Sequence, residues 1–386
     1  MIEEIYIHNF KSITNMTLKF GQFNCLIGMN GVGKSTILQA LDFISKCMFG
    51  QVQEWLNGRG WLASDVVCKL HKIINIFFHV KYRTESGRLL DWEAKLHRST
   101  FRCISEKIQL DDEILFKSTG LDFRIQEKSP HDITFIYYGS LLSQLKDSEL
   151  PPAILEFREA LGRIRSLELL SPQLMRKSSR TMDLDIGSGG EKLSAFLYRF
   201  KGEDRARLVE LLKHFYPDLV DFKVTTQRAG WKKLSVIEQF VGKKLETEAT
   251  HMNDGLLRIL AILAQTASDR SMIMLDEIEN GINQEIIAKL VETLVNAPRQ
   301  ILVTTHSPLI LNYLDDDQAR RSALFIYKTP QGATRMRHFF AIPGIGEKLS
   351  CMGPGDAFVD TDLYHLTQRC IEMDEANEPD VIEGVI

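Results

Sequence analysis

Gly28-Met29-Asn30-Gly31-Val32-Gly33-Lys34-Ser35-Thr36 follows a mostly apolar run from Phe23 to Ile27, and this stretch decides the fold. It matches the P-loop pattern G-x-x-x-x-G-K-[ST] where that pattern belongs, after a predicted strand and before a predicted helix. The glycines let backbone N–H groups surround phosphates, and the helix N-terminus adds a favourable dipole. The alternative is a glycine-rich turn that serves only tight packing.

The side chains of this loop predict a nucleotide and magnesium site. Lys34 can reach the β- and γ-phosphates, and the Ser35 hydroxyl can bind Mg²⁺. The expected ligands are therefore ATP and Mg²⁺. The residues expected to bind the nucleotide in this loop are Asn30, Gly31, Val32, Gly33, Lys34, Ser35 and Thr36.

A second predicted strand ends in two acidic residues, in the stretch Ser271-Met272-Ile273-Met274-Leu275-Asp276-Glu277. In P-loop ATPases an aspartate at such a position holds Mg²⁺, directly or through water. A glutamate one residue later can polarise the attacking water as a general base. Alone, the stretch would fit a strand followed by an acidic helix cap. Beside the P-loop, it predicts Asp276 as a metal ligand and Glu277 as the catalytic base.

A third predicted strand runs from Gln300 to Thr305 and is followed by His306-Ser307-Pro308. A lone histidine is usually structural. This one follows a strand about thirty residues after the acids, where a residue that senses the γ-phosphate is expected. Ser307-Pro308 is typical of a helix start.

These features resemble the ATP-binding cassette (ABC) ATPases of the SMC, RecF and OLD type, AAA family ATPases of the kind found in bacterial antiphage defence systems. Residues 5–13 look like the first strand of that group with its N-F-K/R-S ending, and residues 276–283 look like its Walker B motif and D-loop. His306-Ser307-Pro308 looks like its H-loop. The resemblance covers residues 1–48 and about 250–330. It implies an α/β fold, an ABC-ATPase head with a P-loop core, an inserted antiparallel β-meander and a compact helical lobe.

The same group carries a signature motif that crosses a dimer to touch the γ-phosphate held by the other subunit. Asn253-Asp254-Gly255 opens a predicted helix and lies 23 residues before Asp276, about the spacing of the group. Ser188-Gly189-Gly190-Glu191 is nearer to the literal motif but lies 88 residues before Asp276, and it also fits a glycine turn before a helix. Spacing favours Asn253, Asp254 and Gly255. Asn253 replaces the usual serine, and its amide can still donate to a phosphate oxygen.

The middle of the chain predicts mixed structure. Residues 73–129 alternate apolar and polar positions and predict an antiparallel meander, and residues 133–138 predict another strand. Residues 152–170 and 192–215 show helical spacing of apolar side chains. Gln144 is a candidate for the Q-loop, with an ordinary surface glutamine as the alternative.

We expect three regions. Residues 1–140 form an N-terminal ATPase lobe with the Walker A loop and the β-subdomain, and residues 141–250 form the helical insert lobe. Residues 251–386 form a C-terminal ATPase lobe with the signature, Walker B, H-loop and an acidic tail. The acidic residues of that tail are Glu372, Asp374, Glu375, Glu378, Asp380 and Glu383.

Charge and cysteine usage narrow the function classes. The net charge is −4, so any nucleic-acid site is a local patch. The insert lobe is locally basic, which fits either a groove for a DNA or RNA backbone or a solvated charged surface.

Six cysteines without a C-x-x-C pair fit reduced thiols. With no signal peptide and no apolar run of membrane-spanning length, the chain is expected in the cytoplasm, away from membranes. The basic residues are Arg163, Arg165, Arg176, Lys177, Arg180, Arg199, Lys201, Arg205, Arg207, Lys232, Lys233, Lys243 and Lys244.

The resemblance implies an ATPase that forms an ATP-dependent dimer with itself, with Lys34 and Ser35 of one subunit facing Asn253 and Gly255 of the other. It further implies a separate effector protein, such as a nuclease, controlled by this ATPase in antiphage defence. Two alternatives stay open. A RecF-like repair clamp acts on DNA without an effector, and a structural scaffold uses ATP only to hold an oligomer.

Overall fold

The computed structural model describes residues 1–168, 170–180 and 185–376. The chain divides into two compact units. Unit 1 joins residues 1–165 with the chain from Thr304 onward, and unit 2 comprises residues 166–303. Unit 1 is therefore assembled from both ends of the chain.

Strands and helices are numbered here in chain order. The strands are β1 (Ile2–Phe10), β2 (Ile13–Lys19), β3 (Phe23–Ile27), β4 (Ile76–Arg83), β5 (Leu89–Leu96), β6 (Cys103–Leu110), β7 (Glu113–Ser118), β8 (Asp122–Ile125), β9 (His131–Asp132), β10 (Ile164–Ser166), β11 (Leu219–Thr226), β12 (Lys232–Phe240), β13 (Lys243–Glu248), β14 (Met272–Leu275), β15 (Gln300–Thr304), β16 (Ala323–Lys328) and β17 (Thr334–His338). The helices are α1 (Lys34–Met48), α2 (Val52–Arg59), α3 (Pro152–Gly162), α4 (Pro172–Met175), α5 (Leu193–Leu197), α6 (Gly202–Phe215), α7 (Asp254–Thr266), α8 (Gln284–Val295), α9 (Pro308–Asn312), α10 (Asp316–Ser322), α11 (Pro354–Val359) and α12 (Leu363–Ala376).

Unit 1 contains an eight-stranded antiparallel sheet in the order β2-β1-β4-β5-β6-β7-β8-β9. It contains the predicted meander, whose first strand buries every second side chain, as period-2 patterning requires. Phe10, Phe43, Phe78 and Phe101 form an aromatic core between this sheet and α1. The core fixes the helix that follows the P-loop.

The P-loop lies between β3 and α1, as the sequence predicts. All five residues of β3 are buried, and β3 pairs in parallel with β16. Strand β16 pairs in turn with β17 in an antiparallel hairpin. Helix α1 packs against α3, and the Ser45 hydroxyl donates to the Gly162 carbonyl oxygen at 3.1 Å.

Unit 2 contains the strand and the helix that carry the predicted Walker B and signature motifs. Strand β14 pairs in parallel with β15, and both are fully buried. Helix α7 buries an almost continuous apolar surface, from Leu256 to Thr266. Strands β11, β12 and β13 form an antiparallel sheet, which the sequence analysis did not predict within the helical lobe.

The strand predicted at residues 133–138 is absent. Strand β9 ends at Asp132, the Ile133 N–H still donates to the Leu121 carbonyl oxygen at 2.8 Å, and the next bridge joins Gly139 to Arg102. Ile136 is 85% exposed, while Tyr137 is buried and donates to the Cys103 carbonyl oxygen. The apolar run therefore lacks the neighbouring strand that would cover it.

Both predicted helices are shorter than expected. Helix α3 ends at Gly162, where a Cβ would lie 2.5 Å from the Phe49 ring, and Ile164 then enters β10. The second prediction, residues 192–215, divides into α5 and α6. Gly202 has a φ of +51°, which an uninterrupted helix excludes.

Part of the predicted acidic tail is helical, because α12 extends to Ala376. Asp374 lies in α12, pairs with the Arg337 guanidinium at 2.5 Å and accepts from the Tyr327 hydroxyl at 2.6 Å. The other predicted tail residues, Glu378, Asp380 and Glu383, lie outside the described residues.

Candidate functional site

The P-loop glycines meet neighbouring atoms that leave no room for a side chain. Gly28 has a φ of +142°, and a Cβ there would lie 2.3 Å from the Ile326 carbonyl oxygen. Gly33 has a φ of +112°, and a Cβ there would lie 2.2 Å from Thr334 Oγ1. Both values lie in the region that favours glycine. The loop is thus pressed against the β16–β17 hairpin.

Thr334 ties the loop to the turn between β1 and β2. Its hydroxyl donates to the Val32 carbonyl oxygen at 2.9 Å and lies 2.8 Å from Ser12 Oγ. Its backbone N–H donates to the Ser12 carbonyl oxygen at 2.8 Å. These bonds link the P-loop to the N-F-K-S ending of the first strand.

Lys34 is 6% exposed, and its ammonium lies within the loop that it follows. Its Nζ donates to the carbonyl oxygens of Gly28 at 2.8 Å and Met29 at 2.9 Å. It also lies 3.4 Å from His306 Nδ1. An ammonium held by loop carbonyls at the start of α1 is placed to receive phosphate oxygens.

His306 is brought to Lys34 by the end of β15. Thr305 N–H donates to the Leu26 carbonyl oxygen at 3.1 Å, and Ser307 then begins α9 as its N-cap. Because an ammonium has no acceptor, His306 Nδ1 is the acceptor of this contact. In the tautomer that accepts through Nδ1, the ring proton is carried by Nε2.

A basic cavity beside the loop was not singled out by the sequence analysis. Its volume is about 370 Å³. Lys11 donates to Gln39 Oε1 at 2.9 Å, and its ammonium lies 3.8 Å from the centre of the Trp61 ring. The N-F-K-S ending, which contains Lys11 and Ser12, is the sequence feature that could have indicated this cavity. The cavity is lined by Lys11, Ser12, Asp65, Val67, Lys69, Leu70, Lys328 and Gly332.

In unit 2, the two acids follow β14 directly. Asp276 is half-buried and Glu277 is exposed. Glu277 has a φ of +47°, an unusual value for a residue with a side chain. Its carbonyl oxygen accepts from Asn280 N–H at 2.9 Å, so a tight turn holds this backbone.

The favoured signature residues lie at the start of α7. Asn253 is the N-cap, and its Oδ1 accepts from Leu256 N–H at 2.7 Å, which leaves its amide Nδ2 as the donor. A Cβ on Gly255 would lie 3.1 Å from the Gly281 carbonyl oxygen, so the signature contacts the predicted D-loop of its own unit. Asp254 is exposed and accepts from Arg176.

Arg258 joins the signature to the acidic turn. Burial lowers the pKa of its guanidinium, and the charges of Asp254 and Glu277 act in the opposite direction. The Arg258 guanidinium also donates to the Leu170 carbonyl oxygen at 3.5 Å. The sequence analysis missed Arg258, although it lies one turn after Asp254 in the same predicted helix.

The two weaker candidates from the sequence, residues 188–191 and Gln144, have local contacts that do not require a role in nucleotide binding. Gly189 N–H donates to Glu191 Oε2 at 2.9 Å, and Gly190 has a φ of +85° and packs on Met175. This arrangement is a glycine turn, the alternative interpretation of residues 188–191. Gln144 is exposed and contacts Ser143.

The site therefore has two parts, each built within one unit. Unit 1 brings the P-loop, Lys34 and His306 together. Unit 2 brings Asp254 and Glu277 close enough to act on the charge of Arg258, and it places Gly255 beside Gly281. Backbone donors and an ammonium suit a polyphosphate, and a carboxylate at a strand end suits a metal or water.

Comparison with solved structures identifies the fold. The chain is similar to the SMC head bound to the C-winged helix domain of ScpA, with a TM-score of 0.56, 13% identity, and coverage of 87% of this chain and 96% of that one. It is also similar to the Smc head with an extended coiled coil bound to the C-terminal domain of ScpA derived from Pyrococcus furiosus. There the TM-score is 0.53 with 11% identity, covering 87% of this chain and 95% of that one. The architecture is that of an ABC-ATPase head.

Fold and site together define the chain as a P-loop ATPase of the SMC and RecF type. Residues 93–312 match the family described as "AAA domain, putative AbiEii toxin, Type IV TA system", and the chain belongs to this family. Residues 1–150 match the family described as "AAA ATPase domain".

A shorter similarity connects the chain to curated proteins. It is 50% identical over 48 residues to the DNA replication and repair protein RecF from two strains of Porphyromonas gingivalis. The match spans 12% of this chain and 13% of each RecF protein. In the part of the chain that the structure describes, none of the helices has the length and apolar character needed to cross a membrane.

Proposed function

We propose that the P-loop binds ATP with Mg²⁺ and that the chain hydrolyses it. The observation that carries the proposal is the 3.4 Å contact between Lys34 Nζ and His306 Nδ1, two residues separated by 272 positions. Lys34 holds the β- and γ-phosphate oxygens in place of the loop carbonyls. His306 Nε2 donates to the γ-phosphate. The remaining contacts are backbone N–H groups and side chains of residues 30–36.

The donor chemistry fits Mg²⁺. The half-buried Ser35 hydroxyl in the first turn of α1 and the Asp276 carboxylate after β14 are oxygen ligands of the kind that this cation prefers. Bound Mg²⁺ would neutralise charge that develops on the β- and γ-phosphates. Glu277 accepts the proton of the attacking water as general base.

The closed site is a dimer in this proposal. Asn253 Nδ2 and the backbone at Gly255 lie at the exposed N-terminus of α7, where a phosphate is favoured by the helix dipole. They face the γ-phosphate held by Lys34 of a second copy. ATP binding then joins two copies, and hydrolysis releases them.

The test of ATP binding is the Lys34→Ala variant. We expect it to lose measurable ATP affinity in isothermal titration calorimetry, because the phosphates lose their cation. Lys46→Ala, on the same helix but in its last turn, is the matched control and keeps wild-type affinity. Unchanged affinity of folded Lys34→Ala would contradict the proposal.

The biological role is control of a separate effector protein, such as a nuclease, in bacterial antiphage defence. Two findings support a role with a protein partner. The description of the family names a toxin of a type IV TA system, and the similar SMC heads are bound to a ScpA domain. Co-purification of tagged chain with ATP from its native gene neighbourhood tests this role, and recovery of the chain without another protein contradicts it.

The alternative is a clamp that acts on DNA without an effector. The 48-residue similarity to RecF favours it. This alternative predicts that DNA alone increases ATP turnover. An ATP-stabilised scaffold predicts assembly on ATP with negligible turnover.

A further inference from the structure

Two lysines of unit 2 converge on one aromatic ring. Lys201 Nζ lies 4.1 Å and Lys232 Nζ lies 4.0 Å from the centre of the Tyr198 ring. Adding the two distances, the ammonium groups are at most about 8 Å apart. Tyr198 follows α5, Lys201 is the N-cap of α6, and Lys232 begins β12, so three elements build the cluster.

Lys232 is held rigidly although it is charged. It is 7% exposed, and its Nζ donates to Thr226 Oγ1 at 2.7 Å. Its backbone N–H donates to the Ser179 carbonyl oxygen at 2.8 Å. Burial of an ammonium is unfavourable unless an anion compensates it. A ring and a hydroxyl compensate it only in part.

Three other cations of this lobe illustrate the usual arrangement, in which a carboxylate pairs with the charge. Arg176 pairs with Asp254, Arg205 pairs with Asp221 at 2.7 Å, and Lys233 pairs with Glu248. Within the described residues, neither Lys201 nor Lys232 has a carboxylate oxygen within 4.0 Å. The neighbouring acids Glu203 and Asp204, in the first turn of α6, are exposed and make no such pair with Lys201.

We propose that Lys201 and Lys232, fixed around Tyr198, bind the backbone phosphates of a nucleic-acid strand. The choice of nucleic acid rests on the proposed function, in which the controlled effector is directed at nucleic acid, whereas the affinity for phosphate rests on this geometry. Lysine binds phosphate as a point charge. The exposed Arg180 and Arg199, adjacent in sequence to Ser179 and Tyr198, extend the positive surface.

The site reads the backbone of the strand and not its bases. Both ammonium groups lie within about 4 Å of the ring centre, so a base cannot stack there without displacing them. The pKa of the Tyr198 phenol is lowered by its hydrogen bond with Thr226 and by Lys232 and Lys201, which reflects the positive field. Binding is therefore independent of sequence and strongly dependent on salt.

The test is fluorescence anisotropy of the full chain with a labelled mixed-sequence oligonucleotide, single-stranded and duplex, at several salt concentrations. Lys201→Gln and Lys232→Met each remove one charge, and Lys232→Met keeps the apolar stem against the ring. We expect each to weaken binding about tenfold at 0.1 M salt and to lower the slope of log affinity against log salt by about 1. Lys233→Gln is the matched control on the same strand, because Glu248 already neutralises that lysine, and it changes affinity less.

Lys201 is exposed, so Lys201→Gln is expected to fold and still tests the proposal if Lys232→Met does not fold. Wild-type affinity and slope in folded Lys201→Gln would overturn the proposal. So would wild-type protein that binds no oligonucleotide but retains an acidic protein through these lysines. Inorganic phosphate and pyrophosphate are titrated separately. If the lysines bind inorganic phosphate or pyrophosphate but no oligonucleotide, the site is one for a small phosphate compound. That result would overturn the proposal that the site binds nucleic acid.

ATP turnover is measured on the same preparations without nucleic acid. Both variants are expected to hydrolyse ATP at the wild-type rate. If wild-type protein does not hydrolyse ATP but loses oligonucleotide binding in the variants, the proposed function fails and this site stands. The reverse pattern overturns this site alone.

Discussion

Glu277 combines an exposed carboxylate with a backbone conformation that residues with side chains seldom adopt. Its φ of +47° costs on the order of 1–2 kcal/mol relative to a right-handed conformation. Strain of this kind clusters at functional sites, where surrounding structure holds it. The Asn280 N–H that donates to the Glu277 carbonyl oxygen is part of that surrounding structure. Backbone and position therefore agree with the role proposed for its carboxylate.

Replacement of Glu277 by Gln separates ATP binding from hydrolysis. The amide keeps the size of the side chain but cannot accept the proton of the attacking water. We expect ATP affinity near wild type and turnover lower by about 10²- to 10⁴-fold, the range that a general base contributes. A coupled phosphate-release assay measures it, with Glu285→Gln in the first turn of α8 as control. Near-normal turnover would assign the base to another residue.

At the scale of elements, the P-loop depends on the hairpin packed against it. Gly33 and Gly31 both have a positive φ, but only Gly33 has a neighbour in the position of a Cβ, Thr334 Oγ1 at 2.2 Å. Gly31 has open space around that position. The two glycines therefore separate the effect of steric contact from the effect of backbone strain.

Gly33→Ala is expected to abolish ATP binding, because the loop must move away from Thr334 and Lys34 moves with it. Gly31→Ala carries the backbone strain alone, about 1–2 kcal/mol, and is expected to retain weaker binding. Calorimetric titration with ATP compares the two. Equal affinities would show that contact with the hairpin does not shape the loop.

Local patterns in the sequence predicted the elements that carry the motifs. Elements that depend on pairing with strands far away in the sequence were predicted less well. Strands β3 and β14 and helix α7 were predicted because buried runs and a clear N-cap mark them. Residues 133–138 were wrongly predicted as a strand, because an apolar run does not reveal that no neighbouring strand covers it. The sheet from β11 to β13 was missed, because its charged alternation resembles a solvated surface. Such errors arise from tertiary context.

At the scale of the whole molecule, the candidate site could be predicted only in pieces. The P-loop and the acids after β14 have short sequence signatures, so their residues were found directly. The contact between Lys34 and His306 joins two ends of the chain, and no local pattern specifies it. The roles of Glu277, Asp276 and Asn253 stay predictions. Arg258 was missed because an arginine on an apolar helix has no signature of its own.

Stability of the whole chain is expected to fall in mild acid. Burial lowers the pKa of His8 and of His338 from the ordinary value of 6.5, and nearby cations, Lys95 and Lys19 respectively, act in the same direction. His71, which stacks on His8, also lowers the pKa of His8. The unfolded chain then binds protons first, so the contribution of these groups is present above pH 6.5 and is lost as pH falls through their folded-state pKa.

Unfolding midpoints measured from pH 8 to pH 5 check this expectation. The doubly substituted His8→Gln, His338→Gln protein is expected to lose less stability below about pH 6.5 than the wild type. His365→Gln, at an exposed position of α12, is the control and follows the wild-type profile. An unchanged profile in the double variant would assign the acid sensitivity to other groups.

The central claim is that ATP joins two copies of this chain through Lys34 of one and Asn253 of the other. The most direct measurement is the particle mass of the Glu277→Gln protein by light scattering, with and without ATP and Mg²⁺. The account predicts that ATP doubles the mass, from the 44.1 kDa of one chain if the protein without ATP is a monomer, and that Lys34→Ala abolishes this change. A mass that does not change while ATP is bound would contradict the account.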